Sequence, residues 1–392
     1  MVRRAIPLGA AAAALAAGTL GAAFTLVPPL IERRRNTTLG RPPYGASKRA
    51  RDLHASSLVV DLHTDSLLWG RDLLRRSGVG HIDVPRLIEG GIAIQGFAVS
   101  TKVPHGLNYD GNDDRTDDVR LLAIIQRWPR STWGSLLERA LYQAARLRAM
   151  ADASDGRFTL LTCRADLASY LERRVHDPRI TAGFLAIEGA HALDDDPANV
   201  DHLADAGYRM MAPTHFFDNA FGGSAHGIQK GGLTDAGREM IRRMEARSMI
   251  VDVAHASPAT IDDVLAISTR PVVASHTGVR SAFDSIRNLG DEHVRAIAAT
   301  GGLVGIGFWP AATGGEDAIA IARSIGAAVE LAGIDHVGLG SDFDGGVPIP
   351  FDATGIVQVT DALLGEGFDD DAIRAILGGN ARRVLAASLP DC

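Results

Sequence analysis

The feature that most constrains this chain is a recurrence: beyond Ser57, short apolar runs follow one another with helix-like patterns between them. The runs are Leu58–His63, Ile92–Val99, Phe184–Glu188, Tyr208–His215, Met249–His255, Val272–His276, Leu303–Phe308 and Val337–Asp342. Several are nearly continuous in Val, Ile, Leu and Ala, as expected of parallel strands covered on both faces. Between them, Thr234 is placed to N-cap a helix whose Ala236, Met240, Ile241 and Met244 share one face, and Asp291 to cap another that stops at Gly301 and Gly302. This strand–helix order predicts an α/β fold, a (β/α)8 TIM barrel, in preference to a doubly wound open sheet. Extra length from Thr101 to Leu161 predicts a helical insertion between strands 2 and 3.

A hydrophobic content of 46% against 22% charged residues supports a sizeable core and excludes a disordered chain. The net charge of −7, with no basic block beyond the N-terminal arginines, argues against a nucleic-acid partner. Only Cys163 and Cys392 are present, in unlike contexts, so neither a disulfide framework nor a thiolate zinc site is expected. Any metal ligands must then be His, Asp and Glu.

The N-terminus reads separately. No charge falls between Ala5 and Ile31, with Arg3 and Arg4 before it and Glu32, Arg33, Arg34 and Arg35 after it. Residues 1–35 are therefore expected to be an export signal or a single-pass transmembrane anchor, with the catalytic domain extracytoplasmic. Residues 36–56, with Pro42, Pro43, Gly40 and Gly45, are expected to be a polar linker, and 57–392 the folded domain.

Ligand-type residues gather at the strands' carboxyl ends. The first run ends in His63-Thr-Asp65, and residues two apart on a strand point to the same side. The third ends in Glu188-Gly189, the fifth in His255 and the sixth in His276. In a barrel these converge on the face where such folds place their chemistry. Mixed imidazole and carboxylate donors suit zinc, with manganese or iron also compatible. The working arrangement is two zinc ions, one held by His63, Asp65 and Glu188, the other by Glu188, His255 and His276, acidifying a bridging water and polarising a carbonyl. The fourth run ends in His215, read as a substrate residue that stabilises an oxyanion, with a third ligand or a structural role left open. After the eighth run, Asp342 is the better candidate for a base or proton shuttle, and Asp344 for a turn residue. Arg287, followed by Asn288, is placed to bind a substrate carboxylate. Asn219 and Ser224 are open to substrate contact or simple loop polarity, and Asp252, His191 and His336 to supporting or structural roles.

Taken in order, Asp61-Leu-His-Thr-Asp65, Glu188-Gly-Ala-His191, Thr214-His215, Gly232-Leu-Thr-Asp-Ala-Gly237, Asp252-Val-Ala-His255, Ser275-His276, Arg287-Asn288, Gly340-Ser-Asp-Phe-Asp-Gly345 and Gly378-Gly-Asn380 resemble the membrane (renal) dipeptidase family of zinc peptidases, within the amidohydrolase-like barrels. The resemblance runs from about Ser57 to Leu385. It implies His63, Asp65, Glu188, His255 and His276 as zinc ligands, and His215, Arg287 and Asp342 as substrate or catalytic residues. It also implies dipeptide substrates, including some with a C-terminal D-residue, and in some members β-lactams. A deacylase or lactonase on the same centre, or a silent anchored binding protein, are the alternatives. Ala254 and Thr277 stand where the family often has Ser. The cysteines do not match the animal disulfide pattern, so covalent dimerisation and lipid anchoring are not carried over, and a homodimer is left open.

Overall fold

The computed structural model describes residues 27–392. The bulk of the proposed signal or anchor therefore lies outside the described residues, and among the described residues no helix is long and apolar enough to cross a membrane.

Nine parallel strands form the sheet: β1 (Val59–Thr64), β2 (Ile92–Val99), β3 (Phe158–Leu160), β4 (Thr181–Ile187), β5 (Tyr208–Met211), β6 (Ile250–Asp252), β7 (Val272–Thr277), β8 (Leu303–Ile306) and β9 (Val337–Leu339). Pairing of β1 with β9 and of β2 with β4 closes eight of them into the expected barrel. The ninth, β3, is an addition that the sequence reading missed. It pairs Phe158, Thr159 and Leu160 with Thr181, Ala182 and Gly183, along the edge of β4 whose later residues pair with β5. The expected helical insertion is present as Asp118–Ile125 and Leu136–Asp152.

Burial on both faces explains the continuous apolar runs. Val60, Leu62, Ile94, Phe184, Met210, Val273 and Leu303 fill the barrel interior, closed below by Val384 and Leu385 of the C-terminal helix Asn380–Ser388. The opposite faces of the strands pack against the surrounding helices, as Met240, Ile241 and Met244 do from helix Asp235–Ala246. Thr234 caps that helix as expected, its side chain accepting from the Gly237 N–H. The cap of helix Asp291–Ala299 falls instead on Gly290, with Asp291 in the first turn, where its negative charge complements the positive end of the helix dipole.

Two further expectations are corrected. Residues 36–56 are not a free linker, because their polar groups find partners on the barrel. The Asn36 Oδ1 accepts from Gly346 N–H (2.9 Å), Ile349 N–H donates to Thr37 O (3.1 Å), and Asp352 N–H donates to the Tyr44 hydroxyl (3.1 Å). Helix Lys48–Ala55, capped by Ser47, packs on helix Val357–Gly365. Before it, Glu32 is ion-paired with Arg71, which also pairs with Asp344. The packed domain thus begins well before Ser57.

The second correction is a disulfide between Cys163 and Cys392, whose Cα atoms lie 5.5 Å apart. Separated by 229 residues, the pair meets only because the C-terminal helix folds under the barrel, and Arg164 N–H then donates to Pro390 O at 2.9 Å. Closing so long a loop restricts the unfolded chain. Cys392→Ser is expected to lower unfolding stability by about 2–4 kcal/mol in oxidising buffer, and to have no effect in reductant. Denaturant curves under both conditions check this.

Candidate metal centre and active site

The eight closing strands deliver their functional groups at or just beyond their carboxyl ends. His63 lies in β1 and Asp65 follows it, Glu188 follows β4 directly, and His276 lies in β7. His215, His255 and Asp342 come a few residues after β5, β6 and β9, and Arg287 comes from the loop after β7. Gly189 (φ 98°) turns the chain sharply behind Glu188. His255 and Asp342 themselves occupy the left-handed region at φ 63° and 62°, a conformation that side chains with a Cβ seldom adopt and that concentrates at functional sites.

Glu188 is the hub. Its Oε1 lies 3.6 Å from His63 Nε2, 3.1 Å from His255 Nε2 and 3.4 Å from His276 Nε2. Its Oε2 lies 3.3 Å from His215 Nε2, and Asp65 Oδ2 stands 3.4 Å from His63 Nε2. His63, Asp65 and Asp342 form a further group close enough to share an ion. All of these side chains are buried. The structure therefore brings the five expected ligands together, with His215 and Asp342 among them.

The donor chemistry fits a cation. His63 Nε2 and Asp65 Oδ1 are buried without a hydrogen-bond partner. Ser275 Oγ donates to Asp252 Oδ2 (2.5 Å), so it must accept from His276 Nδ1–H (2.9 Å), which leaves the His276 Nε2 lone pair facing the centre. That nitrogen lies 3.0 Å from His255 Nε2, a pairing that a shared cation would satisfy. Asp252 thus orients a ligand through Ser275, the supporting role left open for it. Asp61 supports β1 similarly, accepting from Ser341 N–H (2.7 Å) and Ser341 Oγ (2.6 Å).

Electrostatics tell the same story. Burial raises the pKa of Glu188 well above the carboxylate range, with the Asp65 charge adding to it. Burial pushes Asp342 up to about 7, against the opposing pull of His63. Burial opposes charge on His63, but Glu188, Asp65 and Asp342 outweigh it and push its pKa up to about 10. Burial and neighbouring cations lower His215, His255 and His276. Protons are thus drawn to this acid cluster, and a bound cation would replace them.

The remaining candidates separate by location. Arg287 is buried beside the centre: its Nη2 donates to His276 O (2.7 Å), lies 3.1 Å from His255 Nε2, and the guanidinium sits 5.2 Å from the Trp309 ring centre. Asp344 points away, paired with Arg71 and accepting from His81 N–H at 2.5 Å. That places Asp342, not Asp344, at the reacting face. Asn288 holds its loop through Phe283 O and Ala312 O, and Asn219 holds its own through Pro213 O. Ser224 donates to the His215 carbonyl, His336 bonds Gly302 O, and His191 packs on Phe217. Sequence reading missed Ser100, whose Oγ lies 3.4 Å from His215 Nδ1, and also Tyr109, His226 and Trp309 at the mouth of the centre. Ser100 and Trp309 carried a signal, since each directly follows an apolar run, Ile92–Val99 and Leu303–Phe308.

Comparison with known proteins bears on the fold and the family. A protein from the pqqA 5′ region of Klebsiella pneumoniae, itself uncharacterized, is 32% identical over 259 residues, 62% of this chain and 93% of that protein. Dipeptidase verJ of Clonostachys rogersoniana is 32% identical over 214 residues, 52% of this chain and 54% of that enzyme, so the match spans about half of it. The crystal structure of a Rhodobacter sphaeroides metallopeptidase, liganded with a phosphinate mimic of the dipeptide L-Ala-D-Ala, superposes with a TM-score of 0.66 at 27% identity, covering 85% of this chain and all (100%) of that one. The membrane dipeptidase profile, peptidase family M19, matches residues 47–388, and the chain therefore belongs to this family of metallopeptidases.

Proposed function

We propose that the chain hydrolyses the peptide bond of dipeptides at a centre of two zinc ions, one held by His63, Asp65 and Glu188 and the other by Glu188, His255 and His276. The single observation that carries this reading is Glu188, one carboxylate with four imidazole nitrogens within 3.6 Å. When bound, the ions supply an acidified water and Lewis-acid polarisation of the scissile carbonyl. The protein does the rest. His215, beside Glu188, is positioned to donate to the oxyanion of the tetrahedral intermediate. Arg287 presents a buried guanidinium to the substrate's terminal carboxylate. Asp342, with a pKa raised to about 7, is suited to take a proton from the attacking water and pass it to the leaving amine.

A deacylase or lactonase would use the same donors, so substrate comparison decides between them. Zinc-loaded protein is expected to hydrolyse a dipeptide panel faster than N-acyl amino acids or lactones, to lose that activity to a chelator, and to regain it as two equivalents of zinc are restored. Faster turnover of acyl amino acids or lactones would replace the dipeptidase reading, and a chain that binds no metal would favour a silent binding protein. Residues 1–35 are proposed as the signal or membrane anchor that places the barrel outside the cytoplasm, which fractionation of cells expressing the full chain tests.

A further inference from the structure

The reacting groups are covered by a loop that the metal chemistry does not require. It follows β2, and Asn112 fastens it to the loop after β5: Asn112 Nδ2 donates to Phe216 O and His226 O (both 3.1 Å), and Asn112 N–H donates to His226 O (2.8 Å). A second fastening comes from His226, whose Nδ1–H donates to Tyr109 O at 3.0 Å. The Tyr109 ring stacks on Phe216 (6.2 Å between centres, 29°) and lies 5.3 Å from the His226 ring. Phe216 and His226 pack in turn on His255, at 4.9 and 5.4 Å. Two layers of rings therefore fix Tyr109 above the second ligand group. Arg287 Nη2 lies 3.1 Å from the Nε2 of that same His255, so the guanidinium and the ring wall that carries Tyr109 meet on one imidazole. Trp309, over which the guanidinium sits, borders both.

We propose that Tyr109 is a further substrate-binding residue, its phenolic hydroxyl donating to the same terminal carboxylate that Arg287 holds. The inference rests on the reading of Arg287 given above. A buried guanidinium approached from one side leaves carboxylate lone pairs unfilled, and a carboxylate taken out of water needs them filled. A phenol held rigidly beside the guanidinium supplies a neutral O–H for this purpose, and the aromatic wall excludes chain extending beyond the carboxylate. Selection for a free C-terminus would thus come from a charge and a hydroxyl on separate loops.

Tyr109→Phe keeps the ring packing and removes only the donor. Calorimetry with a phosphinate dipeptide mimic, with and without its carboxylate, reads carboxylate recognition independently of turnover. The wild type is expected to prefer the carboxylate form strongly, and the Phe variant to lose about tenfold to a hundredfold of affinity for that form alone. With a real dipeptide the loss should fall in KM rather than kcat. A Phe variant that discriminates as well as the wild type overturns the role of Tyr109 while leaving that of Arg287 intact. A wild type that does not discriminate overturns the carboxylate reading itself, and the inference with it.

Discussion

Glu188→Ala should abolish dipeptide hydrolysis and metal binding together, with kcat/KM falling on the order of 10³-fold or more. The reason is geometric. Glu188 is the carboxylate common to the groups His63–Glu188–His276 and Glu188–His215–His255: its Oε1 reaches His63, His255 and His276, and its Oε2 reaches His215. Its loss removes a donor from both proposed ions and leaves four imidazoles facing one another with nothing negative between them. Asp65→Ala offers the control, since it withdraws a donor from one group only. Metal analysis should then show partial retention for Asp65→Ala and near-complete loss for Glu188→Ala. Full activity in metal-stripped Glu188→Ala protein would refute the centre as described.

Replacing Arg287 with Met should cost about a hundredfold in kcat/KM, carried mainly by KM, and should leave thermal stability unchanged or higher. The guanidinium is buried, its hydrogen bonds are to a carbonyl and an imidazole rather than a carboxylate, and burial lowers its pKa. A buried cation without a paired anion destabilises the fold. Its presence makes sense when a substrate brings the anion. The Lys variant retains charge but not the planar fork, so it should recover only part of the affinity. Kinetics on dipeptides and their C-terminal amides, beside melting curves, separate the two effects: the amides should hardly notice the substitution. A Met variant with unaltered KM, or one that melts well below the wild type, would argue for a structural arginine.

Most of the barrel was legible because parallel strands buried on both faces are written as uninterrupted apolar runs, and a residue that follows such a run must emerge at the catalytic end. That rule located His63, Glu188, His255 and His276 without reference to contacts. It could not locate β3, whose three residues are too few to carry a pattern and matter only through the edge of β4. Nor could it show the Cys163–Cys392 bond, created by tertiary packing across 229 residues. Tyr109 was invisible for a similar reason: it lies in a polar loop with no periodicity, and only the hydrogen bonds of Asn112 and His226 give it a position. The left-handed turns at His255 and Asp342 are likewise set by their surroundings, not by residue type.

The segment expected to be slack has a mechanical consequence. From Glu32 through Ala55 the chain is pinned to the barrel, and three of its attachments, to Asp344 through Arg71, to Gly346 and to Ile349, fall on the very loop that carries Asp342. From Glu32 to Ala55 the chain therefore serves the mouth of the barrel as a bracket instead of a leash. A displacement of Glu32 would thus be felt at the loop that carries Asp342, so the upstream segment and the reacting face move as one body.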